Sequence, residues 1–149
     1  MINDIKIKYF NGARKLEWCD KGNWIDVYAN EEVFIPVGEA RSIPLGFAMQ
    51  LPYTYEAHVL PRSSTFTTWG VILTNHMGII DTQYCGDNDE WLMQLYCLEE
   101  RGGYGGTMIR KGDKIGQFRI MESQPKFRFE EVEALGNADR GGYGTTGHR

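Results

Sequence analysis

Apolar residues occur along this chain in short runs rich in β-branched and aromatic types. Turn-forming residues separate one run from the next, as in VFIPVGEARSIPLGFAMQLP and KGDKIGQFRIMESQPKFRFEEVEAL. Runs this short suit strands of a few residues, so the pattern predicts an all-β domain, a barrel or sandwich with little helix. WLMQLYCL places Trp91, Met93, Leu95 and Cys97 on one alternating face and Leu92, Tyr96 and Leu98 on the other. That two-sided apolar pattern predicts a central strand buried on both faces. One brief helix is expected after Pro61-Arg62-Ser63-Ser64, where a serine can cap the backbone N–H groups of TFTTWGV. Beyond FRFEEVEAL the chain turns to GNADRGGYGTTGHR, whose only large apolar residue is Tyr143. Residues 1–137 are therefore expected to form one β-rich core and residues 138–149 a mobile arm.

A length of 149 residues with 42% hydrophobic and 13% aromatic content matches a single core and leaves little room for two domains. No apolar run nears the roughly 18 to 20 residues that cross a bilayer. MINDIKIKYF has neither the apolar block nor the cleavage site of a secretory leader. A soluble cytoplasmic protein with no membrane partner is expected. Cys19, Cys85 and Cys97 form no CxxC pair, and His58, His76 and His148 are scattered, so neither a disulfide framework nor a zinc site is expected. The net charge of -4 supplies no field for a nucleic-acid backbone. An anionic ligand would have to be small and held by local groups.

Three stretches offer such groups. Arg62, Ser63 and Ser64 put a guanidinium and two hydroxyls at a helix start, a set that suits a phosphate, although Arg-Ser-Ser is also common on surfaces. Asn75 to Asp87 surrounds a Gly-bearing turn between apolar strands with an amide, the carboxylate of Asp81 and the ring of Tyr84. Those residues could serve one ligand, or be only a turn former and an amphipathic strand residue. The tail Arg140 to Gly147, RGGYGTTG, joins an Arg, a flat ring and two hydroxyls to glycines that let backbone N–H groups approach an oxyanion. A disordered Gly-rich tail would read the same way.

In order, these pieces resemble the five motifs of the homotrimeric dUTPase family, from about Ile25 to Gly147. The first is Ile25-Asp26-Val27-Tyr28-Ala29, the second Pro61 to Ser64, and the third Gly78-Ile79-Ile80-Asp81 through Tyr84 and Gly86. Gly112-Asp113-Lys114-Ile115-Gly116-Gln117 resembles the fourth and Arg140 to Gly147 the fifth. The resemblance implies a jelly-roll-like subunit with one short helix, a homotrimer with active sites between subunits, and an arm that closes over a neighbour's site. It implies magnesium-assisted hydrolysis of dUTP to dUMP and pyrophosphate. That reaction limits uracil incorporation into DNA and supplies dUMP for thymidylate synthesis.

Residue roles follow from the same resemblance. Asp81 would activate the attacking water and receive the sugar 3'-OH, and Tyr84 would lie on the deoxyribose and leave no room for a 2'-OH. Asn75, with Gly78 and Ile80 of the same hairpin, would pair with the uracil edge. Arg62, Ser63, Ser64 and Gln117 would surround the phosphates. Asp26, with Asp20 as the alternative, would hold the magnesium ion through water. Arg140 and Thr145 or Thr146 would grip the γ-phosphate while Tyr143 stacks over the base, with Gly144 also among the substrate-binding residues.

The first motif departs from the family's usual Ala-Gly-Tyr-Asp-Leu, keeping only the acid and its approximate neighbours. The connection CLEERGGYGGTMIRKGD is longer than in compact members, and a first RGGYG, Arg101 to Gly105, lies within it. This copy is expected to be a Gly-rich turn joining two adjacent strands, so that replacing Arg101 and Tyr104 by Ala would leave hydrolysis nearly intact. Two other functions stay open: a dCTP deaminase-like enzyme of the same fold, and a nucleotide-responsive binding protein that contacts an unknown partner through residues 98–111.

Overall fold

Eleven strands and one helix occur among the described residues, which in this computed structural model are 4–147. Three terminal residues at the start, and His148 and Arg149 at the end of the expected arm, lie outside them. The first strands are β1 (Lys6–Tyr9), β2 (Ile25–Tyr28), β3 (Val33–Pro36), β4 (Ala40–Pro44), β5 (Phe47–Gln50) and β6 (Tyr55–Leu60). Helix α1 (Thr65–Trp69) separates these from β7 (Val71–Leu73), β8 (Gly78–Ile80), β9 (Leu92–Cys97), β10 (Gly106–Ile109) and β11 (Lys114–Glu122). No helix among the described residues is long and apolar enough to cross a membrane.

All strand pairs are antiparallel. One four-stranded sheet has the order β2-β11-β6-β8 and a three-stranded sheet the order β4-β9-β7, with the two-stranded pairs β1-β5 and β10-β3 beside them. The fold is the all-β, jelly-roll-like sandwich with one short helix that the pattern predicts, without a closed barrel. Its centre is a set of rings: Trp91 packs on Phe47 at 4.8 Å between centroids and edge-on against Phe118 at 5.1 Å. Ile35, Ile43, Leu45, Met93, Leu95, Ile109 and Ile115 close around them with no solvent exposure above 1%. Burying such side chains contributes roughly 1.5–3 kcal/mol each, which fixes the strands that carry the site.

Three sequence expectations change. Strand β9 is central in its sheet, but only Met93, Leu95 and Cys97 are buried, while Leu92 is 50% and Leu98 47% exposed. Among the described residues, little covers that outer face, where Tyr96 alone is half-buried. FRFEEVEAL forms no strand: β11 ends at Glu122, and Phe129 is 96% exposed. Among the described residues, no backbone hydrogen bond ties residues 124–141 to the body. Finally, β9 and β10 are not adjacent, because β9 lies between β4 and β7 while β10 pairs with β3. The first RGGYG therefore crosses between sheets instead of turning a hairpin.

Candidate active site

One group of candidate residues is assembled by the four-stranded sheet. The registers Asp26↔Gln117 and Gln117↔Leu60 align β2, β11 and β6, and the chain leaves β6 through Pro61 and Arg62. Arg62 Nε lies 3.1 Å from Asp26 Oδ1, and Lys114 Nζ lies 3.7 Å from Asp26 Oδ2. Gln117 Nε2 donates to Pro61 O at 3.2 Å. Thr65 Oγ1 accepts from the Arg62 backbone N–H at 2.8 Å and donates to Ile115 O at 3.3 Å, which fastens the second motif to the fourth. Close approach of β11 to the core requires Gly116, where a Cβ would lie 2.5 Å from Met93 Sδ and 3.0 Å from Leu60 O.

Ser64 is the N-cap residue of α1, but its side chain makes no capping hydrogen bond. The buried Thr65 ties this corner down in its place, and both serine side chains stay exposed. Two cations, two exposed hydroxyls and an amide thus converge where a ligand with several anionic oxygens can be held. Asp20 stands in an exposed turn, apart from this group.

The second group sits on and after β8. Gly78 faces Val59 of β6 so closely that a Cβ would approach the Val59 Cβ to 3.2 Å. Strand β7 belongs to one sheet and β8 to the other, so residues 74–77 bridge two sheets and the expected hairpin is absent. Asn75 and Gly78 line a cavity of about 250 Å3 at that gap, together with Ser42, Thr74 and Gln94. Ile80 points into the core.

Beyond Ile80, the exposed Asp81 and Tyr84 line an open groove of about 930 Å3 with Tyr53 and the start of the outgoing chain, Ser123 to Lys126. Tyr84 donates through Oη to Glu90 O at 2.8 Å, and its backbone N–H donates to Asp81 O at 3.0 Å. Thr82 Oγ1 donates to Tyr55 O, holding the turn against β6. Burial pushes the Tyr84 phenol above its ordinary 10.0, with Asp89 and Glu90 adding to the effect. The ring is therefore fixed and neutral, suited to lie against a sugar.

The two groups do not meet in one chain. Ile80 pairs with Ala57, so Asp81 stands level with the start of β6, whereas Asp26 stands level with Leu60 at its end. Four residues along the strand and three strand spacings across the sheet correspond to a separation of about 19 Å. Of the tail residues, Arg140, Tyr143, Gly144, Thr145 and Thr146 are all exposed, and the Thr145 and Gly147 N–H groups bond only within the tail, to Gly142 O and Gly144 O.

A family model described as dUTPase matches residues 24–147. This chain belongs to the dUTPase family. Among curated relatives, it is 50% identical over 144 residues to the SPbeta prophage-derived deoxyuridine 5'-triphosphate nucleotidohydrolase YosS of Bacillus subtilis (strain 168), covering 96% of this chain and 97% of the relative. It is 35% identical over 153 residues to the deoxyuridine 5'-triphosphate nucleotidohydrolase of Rickettsia akari (strain Hartford), covering 98% of each. The dUTPase of Staphylococcus bacteriophage 80alpha, solved as a mutant with dUpNHpp, superposes with a TM-score of 0.82 over 99% of this chain and 100% of that one, at 19% identity. A mutant dUTPase from phage phi11 of S. aureus superposes at 0.75 over 89% and 99%, at 18% identity. In that protein a structural Mg(II) ion is coordinated.

The dUTPase fold implies magnesium, and the residues present fit an ion carried mainly by the substrate. No group of three or more His, Cys, Asp or Glu that could hold a metal exists among the described residues. Asp26 is a single half-buried carboxylate beside the phosphate-binding candidates, with both oxygens already facing cations. It suits the water shell that magnesium keeps. Lys114, the second cation on Asp26, escaped notice in the sequence, although its place three residues before Gln117 in the fourth motif was the available signal.

Proposed function

We propose that this dUTP diphosphatase, which hydrolyses dUTP to dUMP and pyrophosphate, works as a homotrimer whose sites each combine residues from different subunits. The reading is carried by the separation of about 19 Å between the Asp81 group and the Asp26–Arg62 group. Both groups have to touch the same triphosphate, which one chain cannot arrange. A second copy brings its Asp81 and Tyr84 to the first copy's Arg62, Ser63, Ser64 and Gln117. The exposed apolar side chains of Phe127, Phe129 and Leu135 support a further exchange, because a neighbour covering them would remove a hydrophobic cost. That path carries Arg140, Tyr143, Gly144, Thr145 and Thr146 toward a neighbour's site, as a closing arm.

In this assembly Asp81 accepts a proton from water as the water oxygen attacks the α-phosphorus. The bond to the bridging oxygen breaks and pyrophosphate leaves. Arg62, Ser63, Ser64 and Gln117 hold the phosphate oxygens in line, and Arg140, Thr145 and Thr146 grip the γ-phosphate. Magnesium, when bound with the triphosphate and held through water by Asp26, neutralises charge on the leaving group. Asn75 and the backbone of Gly78 and Ile80 read the uracil edge, so cytosine would leave buried groups unpaired. Tyr84 packs on the deoxyribose and excludes a 2'-OH, while Tyr143 stacks over the base.

The work is done in the cytoplasm, a host's if the chain is viral, where it keeps uracil out of DNA and provides dUMP. Incubation with magnesium and dUTP, dCTP, dTTP or UTP tests the reading through pyrophosphate and ammonia release. Pyrophosphate from dUTP alone is expected, and ammonia from dCTP would restore the deaminase alternative, which the family match does not favour. A partner-binding role for residues 98–111 is favoured by one observation: Tyr104 is 84% exposed beside a groove of about 550 Å3 lined also by Phe34, Trp69 and Arg110.

A further inference from the structure

We propose that Arg101, in the first RGGYG string, is a positioning residue that sets the phosphate-holding serines through helix α1. The proposal rests on reading Arg62, Ser63 and Ser64 as phosphate ligands. Helix α1 starts directly after Ser64 and its five residues span about 7.5 Å. An isolated helix of that length is unstable, so its position depends on whatever grips its two ends. Thr65 supplies the first grip, against Ile115 O.

The second grip comes from Arg101. Its Nε donates to Thr67 O at 3.0 Å and its Nη2 to Phe66 O at 3.1 Å. The Thr67 carbonyl lies in the last turn, where carbonyls lack an intrahelical partner, and Phe66 O already accepts the Gly70 N–H at 2.7 Å, so the guanidinium satisfies the first and adds a second, charge-assisted bond to the other. Phe66 is two residues from Ser64, so the clamp acts within one turn of the serines.

The loop is built to hold this guanidinium in place. Arg101 Nη1 donates to Glu100 O at 2.9 Å and pairs with a Glu99 carboxylate oxygen at 3.2 Å. The Arg101 N–H donates to Gly106 O at 2.8 Å, and the Gly105 N–H to Glu100 Oε2 at 2.7 Å. Gly102, Gly103 and Gly105 have φ of +87°, +79° and +75°, so the loop closes through backbone conformations that glycine adopts freely. Its first strand end is sewn to the C-cap of α1, with the N–H groups of Leu98 and Glu99 both donating to Gly70 O. A Cβ on Gly70 would lie 2.0 Å from Glu99 O. With backbone against backbone, a shift of the loop passes to α1 and thence to Ser63 and Ser64.

The test compares R101A, R101K and S64A, alone and R101A with S64A, in the full-length protein with dUTP and magnesium. R101A is expected to lose about tenfold or more in kcat/KM, with kcat falling, because misplacement by an ångström can cost up to ~100-fold. R101K should recover part of the loss, and added guanidinium ion should rescue R101A. In the S64A background, R101A should cost less than it does in wild type, because only its effect through Ser63 remains. Melting temperatures establish that each variant is folded at the assay temperature, and the rescue and the cycle exclude a general loss of structure. If S64A lowers turnover while R101A stays within twofold of wild type, the clamp is overturned and the phosphate reading survives. If S64A has no effect, both are overturned.

Discussion

Two inactive variants should restore activity when they share a trimer. In one chain Asp81 and Asp26 stand about 19 Å apart by strand register, and Arg62, two residues beyond Leu60 and ion-paired with Asp26, lies at the Asp26 end. On the proposed assembly, each working site takes Asp81 from one subunit and Arg62 from another. D81N removes the water-activating carboxylate and R62A the guanidinium at the phosphates, so either homotrimer should be close to inactive. In trimers formed at random from equal amounts of both, a site is intact when its Asp81 donor is an R62A chain and its Arg62 donor a D81N chain. That coincidence has a probability of about one quarter in a cyclic trimer. Co-expression, or unfolding and refolding of a mixture, followed by pyrophosphate release from dUTP, should therefore recover about 25% of the wild-type rate. Mixing folded homotrimers without exchange gives the baseline. If the exchanged mixture shows only the average of the two variants, Asp81 and Arg62 act from the same subunit and the shared site is wrong.

Asp81→Asn alone should leave dUTP binding, measured by titration calorimetry, near wild type while kcat falls by about 100-fold or more, the range expected for a general base. Deleting residues 138–149 should cripple hydrolysis yet leave the assembly intact by sedimentation, since residues 138–147 make no backbone hydrogen bond to the body of their own chain. Gly70→Ala forces a Cβ at φ +68° to within 2.0 Å of Glu99 O. The left-handed conformation alone costs about 1–2 kcal/mol, so a melting point lowered by at least several degrees is expected. Alkaline pH supplies a further check. Burial raises Cys97 above its ordinary 9.0 and Tyr28 and Tyr84 above 10.0. The unfolded chain loses those protons first, so stability should hold below about pH 9 and fall as pH rises through the folded-state values. Tyr84→Phe should flatten that decline in urea unfolding curves, and an unchanged slope would count against the burial argument.

What the sequence disclosed follows from whether an interaction is local. Short apolar runs parted by turn residues mark β3, β4, β5 and β11, and the serines after Pro61 mark the start of α1. Asp81, Tyr84, Arg62 and Ser64 stand out as candidates because their chemistry is packed into short motifs. WLMQLYCL misled because its outward residues, Leu92 and Leu98, have no cover within a single chain. FRFEEVEAL misled for a related reason: it carries a strand pattern but pairs with no strand of its own subunit, and Phe129 is left 96% exposed. Arg101 could not be read at all: the letters RGGYG are the same in both copies, and only a crossing between sheets brings the first beneath α1, 34 and 35 residues away in sequence. The glycines that suggested a copy of the anion-gripping tail serve there to close a loop around a guanidinium whose acceptors are carbonyls of its own chain. A string expected to be only a turn thus belongs, on the proposed reading, to the support of the phosphate-holding serines.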